Sequence, residues 1–165
     1  MAAGIIAVSL LAVLLQFSQT DAQACKEGWE HFNGNCYGYG DTPVSWTEAA
    51  TICSVIGATL AEVDSEEENE FLVGLFDNVT SSTRVWLGGT DILNEGNWVW
   101  VSNRRHIFPF QNWHSNQPSD SNSAGEDCLT MYSSYKFQWD DAQCDKVNTF
   151  ICEKKSEEDS GVIVG

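Results

Sequence analysis

Six cysteines, Cys25, Cys36, Cys53, Cys128, Cys144 and Cys152, constrain the fold of this 165-residue chain more than any other feature. None falls in a C-x2–4-C pair, which argues against the common structural zinc motifs. Ahead of them, Ile5 to Leu15 form an 11-residue apolar run, followed by polar residues and an Ala22-Gln23-Ala24 cleavage pattern. A core of that length, short for a membrane span, reads as a signal peptide over residues 1–24, although no Lys or Arg precedes it. The mature protein is expected to be secreted and extracellular, with no membrane span because no second long apolar run is present. An even number of cysteines in an exported chain reads as a disulfide framework, and six allow 15 connectivities. Joining near neighbours favours Cys25–Cys36 and Cys128–Cys144, leaving Cys53–Cys152. That last bridge closes a loop of about 100 residues, worth ~4–5 kcal/mol if the bond acts mainly on unfolded-chain entropy.

Charge narrows the function classes. Eight Lys and Arg stand against 24 Asp and Glu, a net charge of −16. Nucleic-acid binders need a basic stripe to displace counterions from phosphate, and anionic membranes repel an acidic surface. A hydrophobic fraction of 42% with seven Trp is too rich for a disordered chain. The expected ligands are cations, neutral molecules or basic partners.

Local patterns predict an α+β domain. Trp29 to Phe32, an Asn33-Gly34 turn and Cys36 to Tyr39 read as a hairpin. Ser45-Trp46-Thr47-Glu48 is a capping box opening a helix that carries Ala49, Ile52, Cys53 and Ile56 and stops at Gly57. A second box, Ser65 to Glu68, opens a helix with Phe71, Leu72 and Leu75. The six acids from Glu62 to Glu70 read as partners of that helix N-terminus and as solvated charges. Val85 to Leu87, Trp98 to Val101, Cys128 to Tyr132, Phe137 to Trp139 and Phe150 to Cys152 read as antiparallel strands. Between Asn103 and Glu126 lies a polar stretch, and a loop that long in a compact domain is usually functional or disordered.

Seven acids fall in or beside that stretch: Asp91, Glu95, Asp120, Glu126, Asp127, Asp140 and Asp141. Carboxylates among Asn, Gln and Ser are the hard oxygen donors that Ca²⁺ prefers. A solvated acidic loop fits composition equally well. An EF-hand is excluded, because the run beginning at Asp120 has Ala124 at its fifth position and Met131 at its twelfth. No G-x-S-x-G, H-E-x-x-H or P-loop is present, and the framework claims every cysteine. The reading is a binding protein, not an enzyme.

Trp86-Leu87-Gly88-Gly89, Gln117-Pro118-Ser119, Gly125-Glu126-Asp127-Cys128 and Trp139-Asp140-Asp141, in this order among the six cysteines, resemble the C-type lectin domain over Cys25 to Cys152. The resemblance implies two helices on small antiparallel sheets, the long form with an N-terminal disulfide hairpin, and the same disulfide pairing that spacing favours. It implies a principal Ca²⁺ and carbohydrate site at Gln117, Ser119, Glu126, Asp140 and Asp141, with a cis Gln117–Pro118 bond. An auxiliary Ca²⁺ site would use Asp91, Glu95, Asp120, Glu126 and Asp127. In the family, sugar hydroxyls complete the calcium shell, and a Gln–Asp pair selects galactose-like geometry where a Glu–Asn pair selects mannose-like. Gln117 leans to galactose. Ser119 departs from both patterns, and the added charge of Asp140 would offset part of that loss.

The expected map is a signal peptide over 1–24, a lectin domain over 25–154 and a flexible acidic tail over 155–165. The expected function is calcium-dependent binding of glycans, microbial ones among them, with self-association supplying avidity. The alternatives are an acidic mineral- or matrix-associated protein, or a protein-binding relative without sugar affinity. Trp113 reads as core rather than sugar contact, His114 and Tyr135 as rim residues, and Asn78-Val79-Thr80 as a glycosylation sequon.

Overall fold

A computed structural model of the chain describes residues 25–76, 83–121 and 125–157. The expected signal segment, the expected glycosylation site at Asn78 and most of the expected tail lie outside these residues. Among the described residues, no helix is long and apolar enough to cross a membrane.

The chain begins as the sequence predicts, with β1 (Trp29–Phe32) turning at Asn33-Gly34 into β2 (Asn35–Val44). Both turn residues have positive φ, +47° and +78°, the left-handed geometry that an Asn-Gly pair accepts. Helix α1 (Trp46–Val55) carries the full capping box: the Glu48 carboxylate accepts the Ser45 N–H at 3.0 Å, and Ser45 Oγ accepts the Glu48 N–H. A two-residue strand that no local pattern marks, β3 (Thr59–Leu60), leads to α2 (Glu66–Gly74). Then come β4 (Arg84–Thr90), β5 (Val99–Trp100), β6 (Cys128–Tyr132), a 3₁₀ turn at Ser133–Tyr135, β7 (Gln138–Ala142) and β8 (Asn148–Lys155).

The strands hydrogen-bond in the order β1-β2-β8-β4-β6-β7, with β3 on β8 and β5 on β4. This is an α+β fold with one difference from the expected antiparallel set. β4 and β8 run parallel through Val85↔Thr149 and Trp86↔Phe150. That pairing joins strands more than sixty residues apart, so no local signal encodes it. The ordered domain also passes the expected boundary at 154, since β8 reaches Lys155 and Ser156 is buried with its N–H on the Gly34 carbonyl.

Alternation along β4 divides the interior. Val85 and Leu87 enter one apolar cluster with Leu72, Leu129, Met131 and Trp139, while Trp86 enters a second with Trp46, Ala49, Cys53 and Phe150. Each fully buried aliphatic side chain contributes roughly 1.5–3 kcal/mol. The disulfides are Cys25–Cys36, Cys53–Cys152 and Cys128–Cys144, the pairing expected. Cys53–Cys152 ties α1 to β8, and Cys128–Cys144 ties the start of β6 to the turn after β7.

Three acids of the 62–70 run behave differently from expectation: Glu62 and Asp64 pair with Arg105, and Glu68 turns inward. Glu68 is buried, and its carboxylate accepts the Tyr37 hydroxyl and the Asp64 N–H instead of closing a second capping box. Glu153 on β8 lies near the same hydroxyl and accepts the Glu62 N–H at 2.9 Å. Burial pushes the Glu153 carboxyl up to about 7, with the charges of Glu68 and Glu62 adding to the shift.

Candidate functional site

The long polar stretch is fastened to the edge of the sheet at its middle. Trp113 bridges to Trp139 in parallel, with Trp139 N–H donating to the Asn112 carbonyl at 2.7 Å and His114 N–H to the Trp139 carbonyl at 2.9 Å. The Trp113 ring packs edge-on against Trp98 and Trp139, which makes it core, as expected. Beyond it the chain turns at Asn116, with φ +68°, and enters a cis Gln117–Pro118 bond.

Asp141 anchors the loop past this bond. Its Oδ2 accepts the backbone N–H of both Ser119 and Asp120 at 2.7 Å. Asp120 passes the connection on, its Oδ1 accepting the Glu126 N–H at 3.0 Å. Glu126 Oε2 in turn accepts the N–H and hydroxyl of Ser121, at 2.8 and 2.7 Å. Ser119, Asp120, Ser121, Glu126 and Asp141 thus belong to one chain of contacts built on the loop and the β7 strand, with Gln117 just before it on the other side of the cis bond.

Asp140 does not join that chain of contacts. Side chains alternate along a strand, and the Asp140 carboxylate lies on the opposite face, paired with Arg84 and only 3% exposed. Its charge is therefore matched within the protein, and it does not offset the short side chain of Ser119 as expected. Arg84 also stacks over the Tyr132 ring at 4.0 Å. Nothing in local sequence marks Arg84, which stands 56 residues before its partner. His114 and Tyr135, expected at the rim, stack on each other with centroids 3.9 Å apart.

The auxiliary set is assembled in part. Carboxylate oxygens of Asp91, Glu95 and Asp127 lie within 4.8 Å of one another. Asp91 is buried at the end of β4, and its Oδ2 accepts the Gly96 N–H at 2.8 Å. The Asp127 carbonyl accepts the Thr90 hydroxyl at 2.7 Å, which docks the two segments. Gly125 has φ +81°, and a Cβ there would meet Asp127 Oδ2 at 2.8 Å, so only glycine lets the chain pass so close to this carboxylate. Burial pushes the Asp91 carboxyl up to about 6, with the charges of Glu95 and Asp127 acting in the same direction. Asp120 and Glu126, the other two expected members, turn their carboxylates instead to the Glu126 N–H and to Ser121.

Three buried oxygens in this region have no hydrogen-bond donor: Gln117 Oε1, Asp141 Oδ1 and Asp91 Oδ1. Buried acceptors left unmatched are costly. Oxygens of this kind, beside carboxylates that repel one another, fit a hard cation that takes 6–8 oxygen ligands. The donor set present suits Ca²⁺, with Asp141, Gln117 and Glu126 for one ion and Asp91, Glu95 and Asp127 for a second.

Comparison with known proteins identifies the family. The model of the Lectin C-type domain family matches residues 42–154. Lectin BRA-3 of Megabalanus rosa is 34% identical over 152 residues, covering 88% of this chain and 88% of that protein. The perlucin-like protein of Mytilus galloprovincialis is 33% identical over 124 residues, 73% of this chain and 76% of that one. Among solved structures, the mouse scavenger receptor C-type lectin carbohydrate-recognition domain superposes with a TM-score of 0.71 at 32% identity, over 81% of this chain and 98% of that one. With its three disulfides, its α+β sheet order and a family match spanning most of the folded residues, the chain belongs to the C-type lectin domain family.

Proposed function

We propose that this chain is a secreted, calcium-dependent carbohydrate-binding protein of galactose-type preference, acting on glycans such as those of microbial surfaces. The observation that carries the reading is the pair of unmatched buried oxygens, Gln117 Oε1 and Asp141 Oδ1, at the loop that Asp141 holds by two backbone N–H groups. Similarity to a protein named as a lectin and to a carbohydrate-recognition domain supports it. Calcium, when bound, supplies the positive charge that lets adjacent sugar hydroxyls coordinate through their lone pairs. The protein's part is to aim oxygens at the ion and to offer those hydroxyls hydrogen-bond partners: the Gln117 amide can donate, and the Asp141 and Glu126 carboxylates can only accept. Ser119 presents a short hydroxyl at an exposed position, giving the site an open corner.

A second reading, an acidic module that meets calcium-bearing mineral or protein without binding sugar, draws on one observation. Asp140 is matched by Arg84 and Ser119 is short, so fewer oxygens remain for an ion and a sugar together. A glycan array run in calcium and in EDTA separates the two. EDTA-reversible binding to galactose-terminated glycans upholds the first reading. Adsorption to calcium mineral with no glycan signal replaces it with the second.

A further inference from the structure

Between the loop after β4 and the turn that folds β5 back on His106 lies a cavity of about 370 Å³, within the roughly 300–1,000 Å³ of small-molecule sites. Strand alternation builds one wall. Trp100 is fully buried in the core, so Val99 and Val101 on either side of it turn the other way, toward the cavity. The indole of Trp46 closes the floor, its N–H held by the Leu87 carbonyl at 2.8 Å. Ile92 and Leu93 form the opposite lip, 58% and 75% exposed. Single exposed apolar residues are ordinary, but two standing together over a concave apolar surface have the pattern of a binding site.

Charge decides what part of a ligand faces out. The chain has three arginines. Arg84 pairs with Asp140, and Arg105 pairs with Glu62 and Asp64. Arg104 is exposed on the rim of the cavity and makes no salt bridge among the described residues. Its backbone is fixed at φ +59°, with the N–H on the Trp100 carbonyl at 2.9 Å. His106 and the amides of Asn94 and Asn97 add donors around the same opening. The acids nearby do not answer them. Glu95 is gathered with Asp91 and Asp127 and does not line the cavity. Asp91 reaches it only from the buried side, with Oδ2 on the Gly96 N–H. A negative floor and a positive rim give the cavity a direction, with an anionic head outward and an apolar body inward. One guanidinium matches one negative charge, and its planar fork fits a carboxylate bidentately. A dianionic group would bring a second charge toward Asp91 without a second cation to match it.

We infer that this cavity is a binding site for a small amphipathic carboxylate, whose aryl or alkyl body lies on Trp46, Val99 and Val101 and whose head meets Arg104. Ile92 and Leu93 close over the body, which takes their apolar surface out of water. A neutral apolar ligand would leave the guanidinium unused, and a cation would meet it at the mouth. The site stands apart from the carbohydrate reading, since Gln117, Ser119, Glu126 and Asp141 do not line it.

The test uses the mature protein in saturating calcium and three probes that share one body: phenylpropanoate, phenylpropanol and phenylpropylamine. Binding is followed by NMR at the Trp46 indole N–H and the Val101 amide. Phenylpropanoate shifts both resonances to saturation and binds about tenfold more tightly than the alcohol, the gain from one charge-assisted pair, and the amine binds weakest. Arg104→Gln levels the carboxylate with the alcohol and leaves the alcohol near its wild-type affinity. Leu93→Ser weakens the carboxylate and the alcohol alike. Both side chains are exposed, so neither change disturbs the core. The site is overturned by the absence of any shift with phenylpropanoate, by equal affinity for carboxylate and alcohol in wild type, or by a carboxylate preference that survives Arg104→Gln. Tightest binding by the amine overturns it as well and gives the cavity to cations through Asp91.

Discussion

Asp140 and Asp141 are adjacent in the chain, yet their carboxylates serve opposite faces of β7. Asp140 is matched by the Arg84 guanidinium, and Asp141 accepts the Ser119 and Asp120 N–H groups at 2.7 Å. A period of two gives neighbouring, chemically identical side chains separate roles. One carboxylate belongs to the packing of the sheet, and the other to the loop.

Substitutions at the two positions should therefore part company. Asp140→Ala leaves the Arg84 charge half-buried, and because that side chain keeps 30% exposure the cost is about 2 kcal/mol, below the roughly 3–5 kcal/mol of a fully buried pair. Its calcium affinity stays near wild type. Asp141→Ala should lower the affinity for calcium at least tenfold and abolish calcium-dependent sugar binding, with the three disulfides intact. Calcium titration by calorimetry, paired with urea unfolding, checks both variants. Equal loss of calcium binding in the two would show that they share one site.

Calcium should stabilise the fold, since a ligand bound only by the native state adds RT ln(1 + [L]/Kd). At one hundred times Kd this is about 2.7 kcal/mol, a rise of several degrees in Tm for a domain of this size. Melting curves across a millimolar calcium series, set against EDTA, measure it. Superimposable curves would remove the roles given to Asp91, Glu95 and Asp127.

Ser119→Asp should strengthen galactose binding. The Asp141 carboxylate engages the backbone N–H of Ser119 and the side chain is exposed, so the substitution keeps the loop's anchor while adding a carboxylate oxygen. A tenfold tighter Kd, about 1.4 kcal/mol, is expected at saturating calcium. Calorimetry with methyl galactoside gives the answer, and unchanged affinity would place the sugar elsewhere.

In EDTA the protein should be more stable at pH 5.5 than at pH 8. Burial raises the Glu153 carboxyl to about 7, above its unfolded value of about 4.3, so the folded state holds the proton more tightly. Stability from this group is full below the unfolded value and is lost as pH rises through about 7, an effect on the order of 3 kcal/mol. Glu153→Gln should flatten the profile between pH 6 and 8. Urea unfolding at fixed ionic strength tests it, and a wild-type profile that is flat across that range would contradict the burial argument.

Much of the fold was legible locally, because its signals are local. Asn33-Gly34 accepts positive φ at two successive residues, Ser45 and Glu48 close a box within four residues, and the cysteine spacing leaves few sensible pairings. The proposed calcium ligands were legible only through several motifs in order, since each acid alone is as well explained by solvation. Other features needed the tertiary structure. The parallel β4–β8 pairing joins segments whose separation hides them from any window, and β3 is held by β8 rather than by its own two residues. The Glu68 carboxylate turns from the cap to the Tyr37 hydroxyl, on a strand 31 residues away, while its N–H stays on Ser65 Oγ. Asp140 is drawn away from the expected site because it pairs with Arg84 on β4. Sequence determined which groups could ionise, cap or cross-link. Packing decided which of them faced each other, because a charge drawn out of water takes whatever partner the opposite strand presents.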